Sequence, residues 1–293
     1  MPFHRLTLIA ALVLAGVACE TIDDESGDTV DGAAAELTGV DCSETTLNDG
    51  DEEYVFTSAY RVDDGELGAL CFGDADPIVV DAWESLATIT PTAQLSDLVL
   101  FGGFEPDGPP ADETLAFVTV IDSEGSGFQM SINTIDAAAD PDELLLTIAH
   151  EFSHVFTATA DQLDRSDDAI DDCVTYFNGE GCYLDDSLMA AWIVEFWDAE
   201  VLAGVDPAEE SVDDADARCA DDDGFFGPYA ATNPEEDFAE AFSAFVFAVE
   251  PATDGQAERL DWVETQPGLV EFRDNAELAG MSPLFNNFDI CGF

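Results

Sequence analysis

The sequence predicts an α+β fold, with a small mixed sheet packed on one long helix and a mainly helical C-terminal half. Three observations predict it. Runs rich in β-branched and aromatic residues concentrate between residues 54 and 134. A helix then opens at Pro141, with apolar residues at helical spacing behind it. Beyond that helix the apolar stretches lengthen to helical size and alternate with acidic, glycine-containing loops.

In chain order, "YVFTSAYRV" (Tyr54 to Val62) has strand character, and "DPIVVDAWESLATIT" stands between strand and helix, with helix favoured. "LSDLVLFGGFEPDGPP" reads as a strand running into a turn. "LAFVTVI" and "FQMSINT" flank "DSEGSG", which makes a β-hairpin from Leu115 to Thr134. Asp140 then serves as N-cap, Pro141 fits the first helical position, and Glu143 completes a capping-box pattern. Leu145, Ile148, Ala149, Phe152, Val155 and Phe156 carry this helix to about Thr157. "SLMAAWIVEFWDAEVLAG" reads as a second buried helix ending near Gly204, followed by an acidic loop to about Pro228. "NPEEDFAEAFSAFVFAV" is a third helix, capped by Asn233 with Pro234 at its first position. Its stripe is Phe238, Ala241, Phe242, Phe245 and Val246. A last short helix falls within Ala257 to Val263 or Leu269 to Ala279, and no internal repeat is present.

Composition bounds the partners. Over 293 residues the net charge is −60, and the six basic residues are all arginine. Nucleic acid is excluded as a partner, because phosphate binding needs Lys/Arg patches, and an anionic membrane surface is excluded for the same reason. So many carboxylates read first as a solvated acidic face. Calcium is the sharper alternative, with Asp167, Asp168, Asp171 and Asp172, or Asp221 to Asp223, as oxygen clusters, although no stretch has full EF-hand spacing.

The N-terminus "MPFHRLTLIAALVLAGVAC" has Arg5, an apolar run from Leu6 to Val17, and small residues before Cys19. This is the pattern of a bacterial lipoprotein signal over residues 1–18, with lipid on Cys19; a plain secretory signal cut after Ala18 is the alternative. Either way the expected location is outside the cytoplasm, and contact with a membrane is expected only through that lipid. Residues 19–40 read as a flexible acidic tether, and 41–293 as the folded domain. Setting Cys19 aside leaves six of the seven cysteines, an even number that suggests disulfides in an exported chain. Cys173–Cys182 is the expected local pair and Cys42–Cys71 the next.

The chemistry concentrates in "AHEFSHVF", Ala149 to Phe156. Only three histidines occur, and two of them, His150 and His154, lie four apart on a helix. Residues so spaced share a face, so both imidazoles can meet one ion while Glu151 reaches a water beside it, the H-E-x-x-H arrangement of zincins. A catalytic zinc site takes three protein ligands and leaves a position open. No third histidine is left, so the third ligand is expected to be a carboxylate on a buried helix. Glu195, Glu236 and Glu240 all meet that description.

The segment "YAATNPEEDFAEAF", Tyr229 to Phe242, is similar to part of the C-terminal protease domain of anthrax lethal factor and its relatives. "HEFSH" likewise resembles their H-E-F-G-H, with Ser153 in place of glycine. The resemblance covers these two short segments. It implies a zincin-like metallopeptidase fold of the gluzincin kind, with Glu236 as third zinc ligand, Glu240 as a carboxylate behind the ligands and Tyr229 as an oxyanion-stabilising phenol. Glu235 is the alternative ligand, one position earlier, and Glu195 then becomes a buried carboxylate that needs a partner such as an arginine. The stretch from His154 to Glu236 is longer than in that family, so the loops with Cys173, Cys182 and Cys219 read as insertions that reshape the cleft.

The expected activity is zinc-dependent hydrolysis of peptide bonds in a protein or peptide substrate, with Glu151 as general base and the strand "FQMSINT" pairing with the extended substrate. The alternatives are a zincin-fold binding protein that no longer cuts and an acidic calcium-binding surface lipoprotein.

Overall fold

The computed structural model describes residues 54–106, 114–166, 171–205, 212–285 and 291. The signal, the tether, Cys42 and Asp167 to Ile170 lie outside these residues, so the expected Cys42–Cys71 pair and the first calcium cluster are described only in part.

The described residues form a mixed α+β structure around one large apolar core, with a small separate cluster at Ala59 and Leu100. Strands β1 (Tyr54–Asp63) and β2 (Glu66–Gly73) make a hairpin whose turn residues, Asp64 and Gly65, both have positive φ. That is the geometry an Asp-Gly pair favours. Helix α1 (Pro77–Ile89) follows, then β3 (Leu98–Pro106). Strands β4 (Ala116–Val120) and β5 (Phe128–Asn133) form the expected hairpin. The sheet order is β2-β1-β3-β5-β4, with β5 parallel to β3 and every other pairing antiparallel. "FQMSINT" is therefore an interior strand, bonded on both sides, and cannot take up a substrate by edge addition. Among the described residues the edge beside the site is β4.

A short helix, α2 (Thr134–Ala139), leads into α3 (Pro141–Thr157). Three helices start on the same local device. Asp76-Pro77, Asp140-Pro141 and Asn233-Pro234 each put a side-chain acceptor at the cap and a proline where no N–H is needed. Asp140 accepts from the N–H groups of Asp142 and Glu143, both at 3.2 Å. The reciprocal half of the capping box is superseded: the Asp140 N–H donates to the Asp136 carbonyl at 3.0 Å, because Asp140 also ends α2.

Beyond α3 a small ladder pairs β6 (Leu163–Asp164) with β7 (Cys182–Tyr183), and the Cys173–Cys182 disulfide closes the loop between them, as expected. The predicted second helix is split into α4 (Leu188–Phe196) and α5 (Ala199–Leu202). Trp197 stays extended to send its indole inward, and Asp198 caps the second piece. Glu195 is exposed and needs no buried partner. The acidic loop contains α6 (Val212–Asp221), joined to the C-terminal segment by Cys219–Cys291. Next come α7 (Pro234–Val246), α8 (Asp254–Thr265) and α9 (Val270–Ala279); both candidate positions for the last helix are helical. The two disulfides between described residues fit an oxidising, extracytoplasmic compartment. No described helix is long and apolar enough to cross a membrane.

Helix α7 is buried along its whole length and packs on α3. Aromatic edges hold the two together: Phe156 meets Phe238 and Phe242 at ring separations of 6.2 and 5.2 Å. The helix ends in a Schellman turn, with the Val249 N–H on the Ala244 carbonyl and the Ala248 N–H on that of Phe245. Ala248 takes the left-handed position at φ 50° and is exposed. Glycine is the residue without a steric penalty there. Ala248→Gly should therefore raise stability by about 0.5–1 kcal/mol in urea titration.

Candidate metal centre

His150 and His154 project from one face of α3, and Glu236 projects from the first turn of α7 to meet them. The His150 Nε2 and His154 Nε2 atoms are 3.3 Å apart. Glu236 Oε2 lies 2.9 Å from the first and 3.6 Å from the second. Two ligand atoms about 2.0–2.1 Å from a tetrahedral zinc would sit about 3.3 Å apart. All three separations bracket that value, and the ligand atoms form one face of a tetrahedron.

The surroundings ask for a cation. His150, His154 and Glu236 are 1 %, 5 % and 0 % exposed, and the two imidazoles are the groups that face the Glu236 carboxylate. Burial pulls the His150 imidazole down in pKa, but Glu236 and Glu240 outweigh it and hold the ring well above its usual range. His154 is raised for the same reason, with Glu236 as the main counterweight to burial. Burial alone would push Glu236 up, yet His154 and His150 bring it down to about 2. Without a metal, imidazole protons answer the buried carboxylate; a divalent cation held by these three residues would do so instead.

Glu240 Oε1 lies 3.3 Å from His150 Nδ1. That places a carboxylate behind the first imidazole, the arrangement that fixes a ligating histidine's tautomer and points its other nitrogen at the ion. Glu151 is 2 % exposed, and its Oε1 has no donor. Burial pushes its carboxyl up to about 6, against the pull of His150 and His154. The Tyr229 ring is half-buried, 5.9 Å from that of His150. Glu235 is not part of the ligand set: its carboxyl turns to the Tyr183 hydroxyl, and burial raises it to about 7. Among the described residues His150, His154 and Glu236 are the one group placed to hold a metal. Asp222, in the second calcium cluster, accepts from Gly224 N–H and Arg259.

Two supports were not visible in the sequence. Arg218 of α6 donates to the carbonyls of Ala231 and Thr232 at 2.6 and 2.9 Å, fixing the loop that carries Tyr229. Asp237, fully buried beside Glu236, accepts from the Trp192 and Trp197 indoles at 3.1 and 3.0 Å and from Arg259 Nε at 2.9 Å. Burial pushes the Asp237 carboxyl up to about 6, whereas Asp237 and Asp222 overcome burial to hold Arg259 above its usual range. The ionised pair is the native form, because three donors converge on the two oxygens. An acidic triplet opening an apolar helix, "PEEDF", was the available signal that several buried partners must exist.

No family model, curated protein or solved structure matches the chain.

Zinc at about 100 times its Kd should stabilise the protein by about 2.7 kcal/mol, and Glu236→Ala should abolish that gain in urea titration. Ligation requires neutral imidazoles. Because both histidines are raised above 6.5, protons already compete near neutrality and zinc affinity should fall as pH drops. Calorimetry in two buffers of different ionisation enthalpy should show proton release on binding.

Proposed function

We propose that the protein is a zinc-dependent endopeptidase with a zincin-like fold, exported and held at a membrane through lipid on Cys19 or released. The observation that carries this reading is a buried face of three ligand atoms with a further carboxylate beside it, Glu151, whose Oε1 has no donor. The similarity of "HEFSH" and "YAATNPEEDFAEAF" to the lethal factor protease domain supports the same assignment. The donor set favours zinc over calcium, since two imidazoles suit a borderline ion and a hard cation takes oxygens. The same set also suits ferrous iron, but Glu151 beside the ligands favours activation of water.

A bound zinc would supply a Lewis acid that polarises a peptide carbonyl and eases the ionisation of water. His150, His154 and Glu236 would hold it, and Glu240 would keep His150 in the ligating tautomer. Glu151 takes the proton of the attacking water and later delivers it to the leaving amine. Tyr229 donates its phenolic O–H to the oxygen that gains negative charge. The outer edge of β4 runs beside α3, and an extended peptide would add to it as a further strand. Retention of Glu151 distinguishes this reading from a zincin-fold binding protein, which would have no use for a proton acceptor there.

Glu151→Gln should lower turnover of a denatured protein substrate by about 10²–10⁴-fold while zinc content stays at the wild-type level; equal turnover would sink the reading. Tyr229→Phe should lower kcat by about 10²–10³-fold with a smaller effect on KM, because the phenol acts on charge that develops during the reaction.

A further inference from the structure

One buried acid of α7 is left over once the metal centre is assembled. Glu235 is 6 % exposed, its carboxyl meets the Tyr183 hydroxyl, and its Oε1 has no donor. It lines a cavity of about 20 Å³ next to His154. The opposite wall is Val118 and Val120 of the edge strand with Phe128 behind them, and the polar end is Glu235, Tyr183 and Asn178. Asn178 comes from the loop that Cys173–Cys182 closes, and Tyr183 follows directly on Cys182. Ala158, Val120 and Glu180 are half-buried and form the mouth.

Among the described residues the chain gives Glu235 no arginine, only the His154 imidazole, which a bound metal would leave neutral. The chain has no lysine, and every described arginine is engaged elsewhere. Arg61 pairs with Asp63, Arg273 with Glu264, and Arg259 with Asp237 and Asp222. Arg218 holds two carbonyls, and Arg165 holds the Ala158 carbonyl and Glu180. The last contact also neutralises the acid at the mouth. A buried carboxylate oxygen without a partner is costly, and a donor from outside would relieve that cost.

We propose that this cavity is a side-chain subsite that receives the ammonium group of a lysine in the substrate, with Glu235 as its acceptor. The inference rests on the endopeptidase reading and names part of its substrate class. The volume decides between the two basic side chains. About 20 Å³ is room for one water-sized group. An ammonium is that size, while a planar guanidinium with five donors is not. The apolar wall of Val118, Val120 and Phe128 suits the methylene stem. A peptide laid along β4 would present a side chain at this point, one step from the metal ligands.

The test uses fluorescent extended peptides that differ at one position, lysine, arginine or norleucine, bound to the full chain carrying Glu151→Gln so that nothing is cut. Fluorescence anisotropy should give at least a ten-fold lower Kd for lysine than for norleucine or arginine, and adding Glu235→Gln should remove the difference. Arginine carries the same charge, so it cancels the general attraction of a −60 protein for cations. Equal binding of lysine and norleucine would mean a cavity that holds only water and would overturn the proposal. Arginine binding as tightly as lysine would overturn it too. Cleavage by the wild-type chain separates the two claims. Lysine-selective binding without cleavage of any peptide removes the endopeptidase reading and leaves the subsite standing; cleavage with no lysine preference removes the subsite alone.

Discussion

The structure depends on one constraint: helix α7 is buried on every side and still carries four acids, Glu235, Glu236, Asp237 and Glu240. A buried carboxylate costs several kcal/mol unless a charge or donors answer it. Each acid therefore dictates what surrounds its part of the helix. Glu236 requires the two imidazoles of α3, and Glu240 requires the far nitrogen of His150. Asp237 draws in Arg259 from α8, Trp192 from α4 and Trp197 from the break that follows it. Glu235 reaches the end of the disulfide-closed loop through Tyr183. The architecture around the site is largely the sum of these four answers.

The parts legible in the sequence are those written in local chemistry. Pro141 and Pro234, each behind an Asx cap, set the starts of the two helices that matter, and four-residue spacing put His150 and His154 on one face. The hairpin of β4 and β5 followed from β-branched runs around a glycine-rich turn. Asp64-Gly65 was equally local and marks the β1–β2 turn, although the strand after it, "ELGALCFG", has too little alternation to stand out. The parts that were hidden depend on partners far away in the chain. "VDDADARCAD" reads as an acidic loop, and becomes a helix because Cys219 is tied to Cys291 and Arg218 finds the carbonyls of Ala231 and Thr232. Glu195 looked buried because its neighbours are apolar, but the helix leaves it exposed. Strand order, which decides that β4 and not β5 is the edge, is a long-range property of the sheet and leaves no mark on either strand.

The charge of the chain has a structural counterpart. With 66 acidic residues and six basic ones, cations are scarce. Arg165, Arg218 and Arg259 are placed where one guanidinium settles two acceptors. Arg259 bridges two aspartates while lying 5.0 and 4.8 Å from the ring centroids of Phe196 and Phe225. The guanidinium suits such a site because it is planar and carries five donors. An ammonium in the same place would lose both the stacking and one of the two bridges. The surface acids, by contrast, face solvent and demand nothing from the fold.

The metal centre draws its ligands from two helices, and this ties it to the packing between them. Had all three ligands come from α3 and its extension, the site could form on an isolated segment. Because Glu236 stands on α7, the ligand separations of 2.9 to 3.6 Å exist only when α3 and α7 are docked. That docking is an aromatic affair: Phe156 between Phe238 and Phe242, with Phe272 of α9 against Phe152, Phe156 and Phe242. These rings lie one turn or so from the ligands on both helices. A change in ring volume would therefore shift the carboxylate against the imidazoles before it disturbed the backbone hydrogen bonds of either helix. Interiors are close-packed and tolerate volume change poorly, so the apolar core sets the coordination distances while the polar residues set only the identity of the ligands.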